Sequence, residues 1–389
     1  MKIVRFLLVV AIAFGMMACN NEDVPQIENG PEATVSVRVV PTSNGPSVRL
    51  TGDLSATDTA IATAESAIKT LEVFIFSGGL PDGYGIATGD NVMQVLEIAT
   101  HAGPKTFYVV ANANIGNVTS EAILIDKTKV LPVVIDSGIP MTSEEKTVTL
   151  VAGKNQYGFS ADTDNYKLAA QHSADTPVSL VRVNARVAIV AATLSTTLPA
   201  DQVAIFDALT DIEVAMFNVP KKSKLFGAPL ALNADYLLGE AWPTTAGSYT
   251  TGNAEESFKE TALSLPIPTT TGSKSPYFYV TENTATDVKE QMLIVLRGKP
   301  TKGGSPVVAE GLYTDSTGYT YYPVWVNAPG HTYSDGHTPD SKILRNTQYN
   351  ISLTINGIGN PTIDPVEEAF LDVNVSVEDW TVVNQNVTW

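Results

Sequence analysis

Segments in which apolar residues occupy every second position recur along this chain and constrain its fold most strongly. The first, residues 33–40, alternates three valines with polar side chains: Val35, Val37 and Val39 against Thr34, Ser36 and Arg38. A period of two is typical of a β-strand with one buried face. Similar segments predict further strands at Leu71–Phe76, Thr106–Ala111, Lys146–Leu150, Ser179–Ala191, Asp211–Phe217, Tyr277–Val280, Gln291–Leu296, Tyr321–Val326, Gln348–Ile355 and Phe370–Val377. Because Gly and Pro supply turns between the strands and only residues 60–68 suggest a helix, we expect an all-β protein.

The length of 389 residues allows two domains, each large enough to bury its own core. A polar stretch over residues 160–175 ends at Thr176-Pro177, where we place the domain boundary. The density of short strands on both sides predicts two β-sandwiches in tandem, residues 50–177 and 178–389. No sequence repeat of fixed length is present, which disfavours a solenoid or a propeller.

The charge balance excludes one class of partner. Acidic residues outnumber basic ones 41 to 24, and the net charge is −17. Such a chain would be repelled by a phosphate backbone, so we expect no nucleic-acid binding.

The amino terminus resembles a bacterial lipoprotein signal. Residues 1–18 begin with Lys2 and Arg5, continue with an apolar run and end directly before Cys19, the only cysteine. This pattern predicts a signal peptide over residues 1–18 and lipidation of Cys19. The alternative is a plain secretory signal followed by an incidental cysteine. With one cysteine, no internal disulfide can form, and the polar residues 20–32 are expected to act as a tether.

Candidate catalytic and metal-binding groups are few. His331 and His337 lie in a polar loop with two aspartates, but their spacing matches no fixed ligand geometry, which favours a solvated loop over a cation site. Ser66 and Lys69 match the Ser-x-x-Lys pattern of acyl-transfer enzymes without its companion motifs. No dinucleotide-binding, P-loop or nucleophile-elbow motif occurs. We therefore expect no enzymatic activity, no metal and no cofactor.

Sugar binding is the main alternative from another functional class. The aromatic segment of residues 319–325 could stack sugars on an outward face, although alternating aromatics in a β-sandwich are more often core residues. A surface glycan-binding lipoprotein is kept as an alternative on this ground.

The carboxyl-terminal half carries the most specific sequence pattern. Residues 344–357, followed by Asp379-Trp380 and residues 383–389, resemble the FimA-type major fimbrial subunits (fimbrillins) of the type V pili of Bacteroidia. Further similar segments lie at residues 183–186, 223–228, 278–283 and 320–324. Their order, together with the lipoprotein signal, extends the resemblance over essentially the whole chain.

The resemblance implies two transthyretin-like β-sandwiches and an outer-membrane lipoprotein precursor that is carried to the cell surface and cut after an arginine. Glu22 and Asp23 are similar to the signal that sends Bacteroidia lipoproteins to the outer leaflet. Arg49 ends a loop rich in Pro, Gly and Ser that a protease can reach. We therefore expect an Arg-specific protease to cut between Arg49 and Leu50 and to remove residues 19–49 as a propeptide. The mature chain would then join a fimbrium that supports adhesion and colonisation.

Removal of the first strand provides a physical route to polymerisation. The strand at residues 33–40 buries Val35, Val37 and Val39 at about 1.5–3 kcal/mol each, so its loss opens a groove with about 4–9 kcal/mol of lost burial. The expected donor for this groove is the tail of a second copy, through Leu371, Val373, Val375 and Val377. The alternative is a tail strand that stays in its own domain.

Head-to-tail donation does not close on itself and builds a filament. The expected partners are therefore other copies of this chain, accessory pilus subunits and, before cleavage, the outer membrane through the lipid. An accessory or tip subunit of the same pilus is the alternative to a shaft subunit. From the alternation of the tail we also expect Val375→Asp to block polymerisation and Asn374→Asp to be nearly silent.

Overall fold

The computed structural model describes residues 30–41, 64–131, 137–160, 171–230, 235–244, 252–267, 275–333, 336–364 and 371–379. The predicted lipidation site Cys19 and the predicted cleavage site at Arg49 and Leu50 lie outside these residues. Within the described ranges, no helix is long and apolar enough to span a bilayer.

Among the described residues, the amino-terminal part contains eleven strands and the short helix α1 (Glu121–Ile125). The strands are β1 (Glu32–Pro41), β2 (Thr70–Ser77), β3 (Leu80–Thr88), β4 (Gln94–His101), β5 (Gly103–Ala111), β6 (Thr128–Val130), β7 (Met141–Thr142), β8 (Lys146–Leu150), β9 (Gly153–Tyr157), β10 (Gln171–Ala174) and β11 (Val178–Arg182). Ten of them share hydrogen bonds in the order β10-β9-β1-β11-β7-β5-β2-β3, with β4 attached to β1 and β8 to β5.

In the described segments of the carboxyl-terminal part lie the short helix α2 (Ala200–Ile205), a 3₁₀ turn (Glu256–Phe258) and fourteen strands. These are β12 (Ala185–Leu194), β13 (Ala208–Phe217), β14 (Val219–Pro220), β15 (Lys222–Lys224), β16 (Tyr236–Leu238), β17 (Asn253–Ala254), β18 (Lys259–Leu263), β19 (Tyr277–Val280), β20 (Leu293–Lys302), β21 (Ser305–Pro306), β22 (Thr320–Trp325), β23 (Thr332–Tyr333), β24 (Thr347–Ile355) and β25 (Leu371–Asp379). One sheet has the order β19-β12-β24-β25-β23, and another has β18-β13-β20-β21 with β22 attached to β20.

Each part is a sandwich around its own core. In the carboxyl-terminal part, residues of β12, β24 and β25 pack against residues of β13, β20 and β22, including Ile189, Ile351, Val214, Ile294 and Val324. In the amino-terminal part, the valines of β1 pack with residues of β2, β4 and β5. The expected all-β class is confirmed.

Two predicted elements differ from the structure. The segment predicted as one strand, Ser179–Ala191, is divided at Val183-Asn184 into β11 and β12. β11 lies in the first sandwich, because β1 offers it a parallel edge and β7 an antiparallel one. Residues 178–182, which we assigned to the second domain, therefore pair with the first. Of the predicted helix at residues 60–68, the described part forms one helical turn at residues 64–66.

Candidate functional site

The first strand, β1, is buried in the core of the amino-terminal sandwich. Val35, Val37 and Val39 are at most 4% exposed and pack with apolar residues of β2, β4 and β5. The burial predicted for these valines is confirmed. Alternation places them on one face because successive side chains of a strand point to opposite sides.

Both edges of β1 carry hydrogen-bonded neighbours. β4 runs antiparallel along one edge, with Val35 opposite Ile98. β9 runs parallel along the other edge, with Val35 opposite Asn155. Toward its end β1 also pairs in parallel with β11, where Val39 lies opposite Val178. Loss of β1 would therefore leave a groove with unpaired backbone groups on both sides as well as an open core.

A bulge in β4 changes the environment of one polar side chain of β1. The partner of Val35 is Ile98 and that of Val37 is Val95, so two residues of β4 face Ser36 alone. Glu97, one of the two, has a positive φ of 52°. Its N–H donates to Ser36 Oγ at 3.0 Å, and Ser36 is only 2% exposed. The expectation that the polar face of β1 points to solvent is thus wrong at this position, because the bulge brings the β4 backbone over it.

The chain that follows the predicted cleavage loop is anchored by a buried ionic cluster. Glu65 Oε1 accepts hydrogen bonds from Arg186 Nη1 at 2.9 Å and from the Tyr279 hydroxyl at 2.8 Å. Arg182 Nε donates to the Glu65 carbonyl at 3.1 Å, and its Nη2 donates to Ser66 Oγ at 3.0 Å. Burial lowers the pKa of Arg182 to about 10, so the guanidinium stays charged at neutral pH. This cluster holds residues 65 and 66 independently of β1.

The carboxyl-terminal tail forms β25 inside its own sandwich. It runs antiparallel to β24, with Val375 opposite Ile351, and meets the two-residue β23 on its other edge. Val375 is fully buried and Val373 nearly so, whereas Leu371 and Val377 are half-buried. In the uncleaved chain the tail therefore occupies the place that our alternative assigned to it.

The candidate chemical groups that lie within the described residues have partners of other kinds. Ser66 accepts a hydrogen bond from Arg182, whereas the Lys69 ammonium pairs with Asp90 at 2.6 Å. The His337 ring lies beside the Tyr333 ring, tilted by 46°, with 5.6 Å between the ring centroids. Across the described part of the chain, no three His, Cys, Asp or Glu side chains gather where they could hold a metal ion.

The aromatic segment proposed for sugar stacking lies largely in the interior. Tyr321 and Tyr322 are buried, and Tyr319 and Trp325 are partly buried against a second apolar cluster. The Arg297 guanidinium lies over Tyr319 at 4.1 Å from the ring centroid. A sugar therefore cannot stack on Tyr321 or Tyr322, and the Arg297 guanidinium covers one face of the Tyr319 ring.

Comparison with known proteins assigns this pair of sandwiches to a class. The family model described as the major fimbrial subunit protein FimA matches residues 33–182, and that of the FimA4 pilin C-terminal domain matches residues 186–380. The major fimbrium subunit FimA type-2 of Porphyromonas gingivalis is 30% identical over the whole of both chains, and FimA type-5 of the same organism is 32% identical over the whole of both chains. A crystal structure of a fimbrilin (FimA) from P. gingivalis W83 superposes with a TM-score of 0.72 at 27% identity, covering 91% of this chain and 99% of the other.

The fold and these relatives define the chain as a structural subunit of a fimbrium. It belongs to the FimA family of major fimbrial subunits. The resemblance inferred from the sequence is confirmed.

Proposed function

We propose that this chain is a shaft subunit that polymerises when β1 is removed and a strand of a second copy takes its place. The observation that carries the proposal is the position of β1: it is buried in the core and hydrogen-bonded on both edges, and it precedes the predicted loop that contains Arg49. A cut in that loop separates β1 covalently from the rest of the sandwich. The relatives are major subunits matched over their full length, which favours the shaft over an accessory or tip position.

The choice of Arg49 rests on the state of the other arginines. The later arginines all donate side-chain hydrogen bonds within the folded body: Arg182, Arg186, Arg297 and Arg345. Arg38 is half-buried inside β1. A protease needs several residues of extended, accessible chain, which a paired strand does not offer. In this proposal the lipid on Cys19 holds the precursor at the outer membrane until an Arg-specific protease cuts after Arg49.

The tail matches β1 as an occupant of the groove. When Val373 is placed at the position of Val35, Val375 and Val377 fall at the positions of Val37 and Val39, and Leu371 falls at Ala33. The tail can therefore place an apolar side chain at each of the groove positions 33, 35, 37 and 39. This alternation gives the exchange its register.

Hydrogen bonding favours transfer of the tail over its retention. In its own domain β25 pairs with one long strand, β24, and with the two-residue β23 on its other edge. In the groove it would lie between β4 and β9, which both extend along most of β1. The apolar burial lost in one subunit is regained in the next, so the second ladder supplies the net gain.

Arg49→Ala tests the proposal. We expect a folded, lipid-bearing monomer that does not form filaments after treatment with an Arg-specific protease, because the groove keeps its own strand. The wild-type chain, treated in parallel, should form filaments visible by electron microscopy. If Arg49→Ala forms filaments whose subunits have the length of the mature chain, cleavage after Arg49 is not the step that starts polymerisation.

Salt should affect assembly only weakly. Residues 1–49 contain four basic and four acidic residues, so cleavage leaves the net charge of −17 on the mature chain. Because burial of a strand drives assembly and screening relieves like-charge repulsion, we expect filament yield to be equal or higher at moderate salt. Sedimentation of filaments at several salt concentrations measures this, and a collapse of the yield above low salt would contradict it.

A further inference from the structure

The strand β4 depends on β1 for its only ladder. Among the described strands, β4 shares ladder hydrogen bonds with β1 alone. If β1 leaves the sandwich, one wall of the proposed groove loses every backbone partner along that edge. An incoming strand needs this wall in place, because ordering it at the moment of binding would cost affinity.

A β-bulge in β3 directs a carboxylate toward the end of β4. Ile75 of β2 lies opposite Gly83 and the next residue, Phe76, lies opposite Pro81, which leaves Asp82 as the extra residue of β3. A bulge of this kind turns a side chain away from its regular alternation. The Asp82 side chain is accordingly only 3% exposed.

Asp82 binds β4 at two consecutive residues and β5 at one. Its Oδ2 accepts from the Thr100 hydroxyl at 2.5 Å and from the His101 backbone N–H at 3.1 Å, and its Oδ1 accepts from His101 Nδ1 at 2.7 Å. The Lys105 ammonium of β5 lies 2.9 Å from Oδ2. Burial raises the pKa of Asp82, but the hydrogen bonds from Thr100, Lys105 and His101 outweigh it and hold the pKa at about 2. The carboxylate is therefore ionised near neutral pH, and its hydrogen bonds are charge-assisted.

Two glycines let β4 lie directly on the backbone of β3. A Cβ on Gly83 would be 2.7 Å from the carbonyl oxygen of Ala99, and one on Gly85 would be 2.5 Å from Cγ1 of Ile98. This close approach leaves no space for a larger residue. β4 is thus seated on β3 through contacts in which β1 takes no part.

We propose that Asp82 is a positioning residue that keeps β4 in place as a wall of the groove after β1 has left. The proposal rests on the proposed function, since it concerns the groove that a second copy of this chain would fill. In the uncleaved chain the β1 ladder and Asp82 both hold β4, so the effect of Asp82 on β4 emerges only after cleavage.

Two variants and a matched control test this role. Asp82→Ala removes the hydrogen bonds of Asp82 to Thr100 and His101, which we call the Asp82 clamp, but it leaves Lys105 buried without its carboxylate. Thr100→Val removes one hydrogen bond to β4 and keeps the pair of Asp82 with Lys105. Asp90→Ala is the control, because Asp90 forms an exposed ion pair with Lys69 in the connection between β3 and β4.

The first measurement is the half-time of filament formation after cleavage of the full chain. Asp82→Ala loses all the charge-assisted hydrogen bonds to β4, so it should lengthen the half-time at least about tenfold. Thr100→Val loses one of them and should lengthen the half-time by a smaller factor. Asp90→Ala should polymerise like the wild type. Half-times of both clamp variants within a factor of two of the control would overturn the proposal.

The second measurement separates positioning from general stability. A spin label at Leu96→Cys, an exposed position of β4, is introduced with Cys19→Ser. In Thr100→Val and Asp82→Ala the label should be as immobile as in the wild type before cleavage and more mobile only afterwards. If the label in both variants is as immobile after cleavage as before it, the proposed role of Asp82 is wrong. A wild-type chain that stays monomeric after cleavage would instead refute the proposed function itself.

Discussion

A disulfide between β1 and β4 is expected to keep the cleaved chain monomeric. Thr34 and Ala99 are paired across these strands, and the only natural cysteine is Cys19. In the double variant Thr34→Cys/Ala99→Cys, made with Cys19→Ser, oxidation ties β1 to the body, so cutting after Arg49 no longer frees it. Assembly should then be abolished, because the groove stays filled.

Reduction supplies the internal control for this experiment. After cleavage in the oxidised state, a reductant should restore filaments, as judged by electron microscopy and sedimentation. A disulfide between Thr70 and Thr88, which are paired in β2 and β3, constrains the same sandwich without holding β1 and should leave assembly unchanged. If the oxidised Thr34–Ala99 variant forms filaments at the wild-type rate, β1 does not leave the groove and the exchange model is wrong.

Substitution of Asn374 is expected to separate the two places that the tail can occupy. Asn374 is exposed in its own domain, whereas the matched position in the groove belongs to Ser36, which is buried under the Glu97 backbone. Asn374→Trp should therefore change the stability of the uncleaved chain by less than about 0.5 kcal/mol. In the groove the tryptophan side chain is too large for the site of Ser36, which should weaken each junction between subunits by about 1–3 kcal/mol. We therefore expect filament growth to fall by about tenfold to a hundredfold.

Asn374→Ser is the matched control at the same position. A serine there reproduces the hydroxyl that accepts from the Glu97 N–H in the uncleaved chain, so assembly should equal or exceed that of the wild type. Urea unfolding of the precursors and sedimentation of the cleaved chains measure both effects. Equal assembly of the Trp and Ser variants would contradict the register that aligns Val373 with Val35.

Val375→Asp no longer discriminates between the two places of the tail. Val375 is fully buried in the core between β24 and the opposite sheet, so an aspartate there destabilises the uncleaved chain as well. A loss of filaments in Val375→Asp would therefore not by itself show that the tail enters a second copy. The same bulge that buries Ser36 also revises the expectation that Asn374→Asp is nearly silent in assembly, because the matched position in the groove is buried.

Local alternation was sufficient to identify most of the fold. Period-two segments located strands such as β2, β5 and β24, and they identified the valines of β1 as buried. This was possible because the apolar residues of a strand mark the face that packs into the core. The family resemblance likewise followed from ordered segments of sequence. These features depend on neighbours along the chain.

The tertiary structure alone decided which strands pair and where the alternation breaks. Three features depend on contacts between residues of different strands. They are the pairing of β11 with β1, the pairing of the tail strand β25 with β24, and the hydrogen bonds from Thr100 and His101 to Asp82. Both bulges, at Glu97 and at Asp82, insert one extra residue relative to the partner strand and so interrupt the alternation. A period of two cannot encode such an insertion, because it is defined only against the partner strand that the fold supplies.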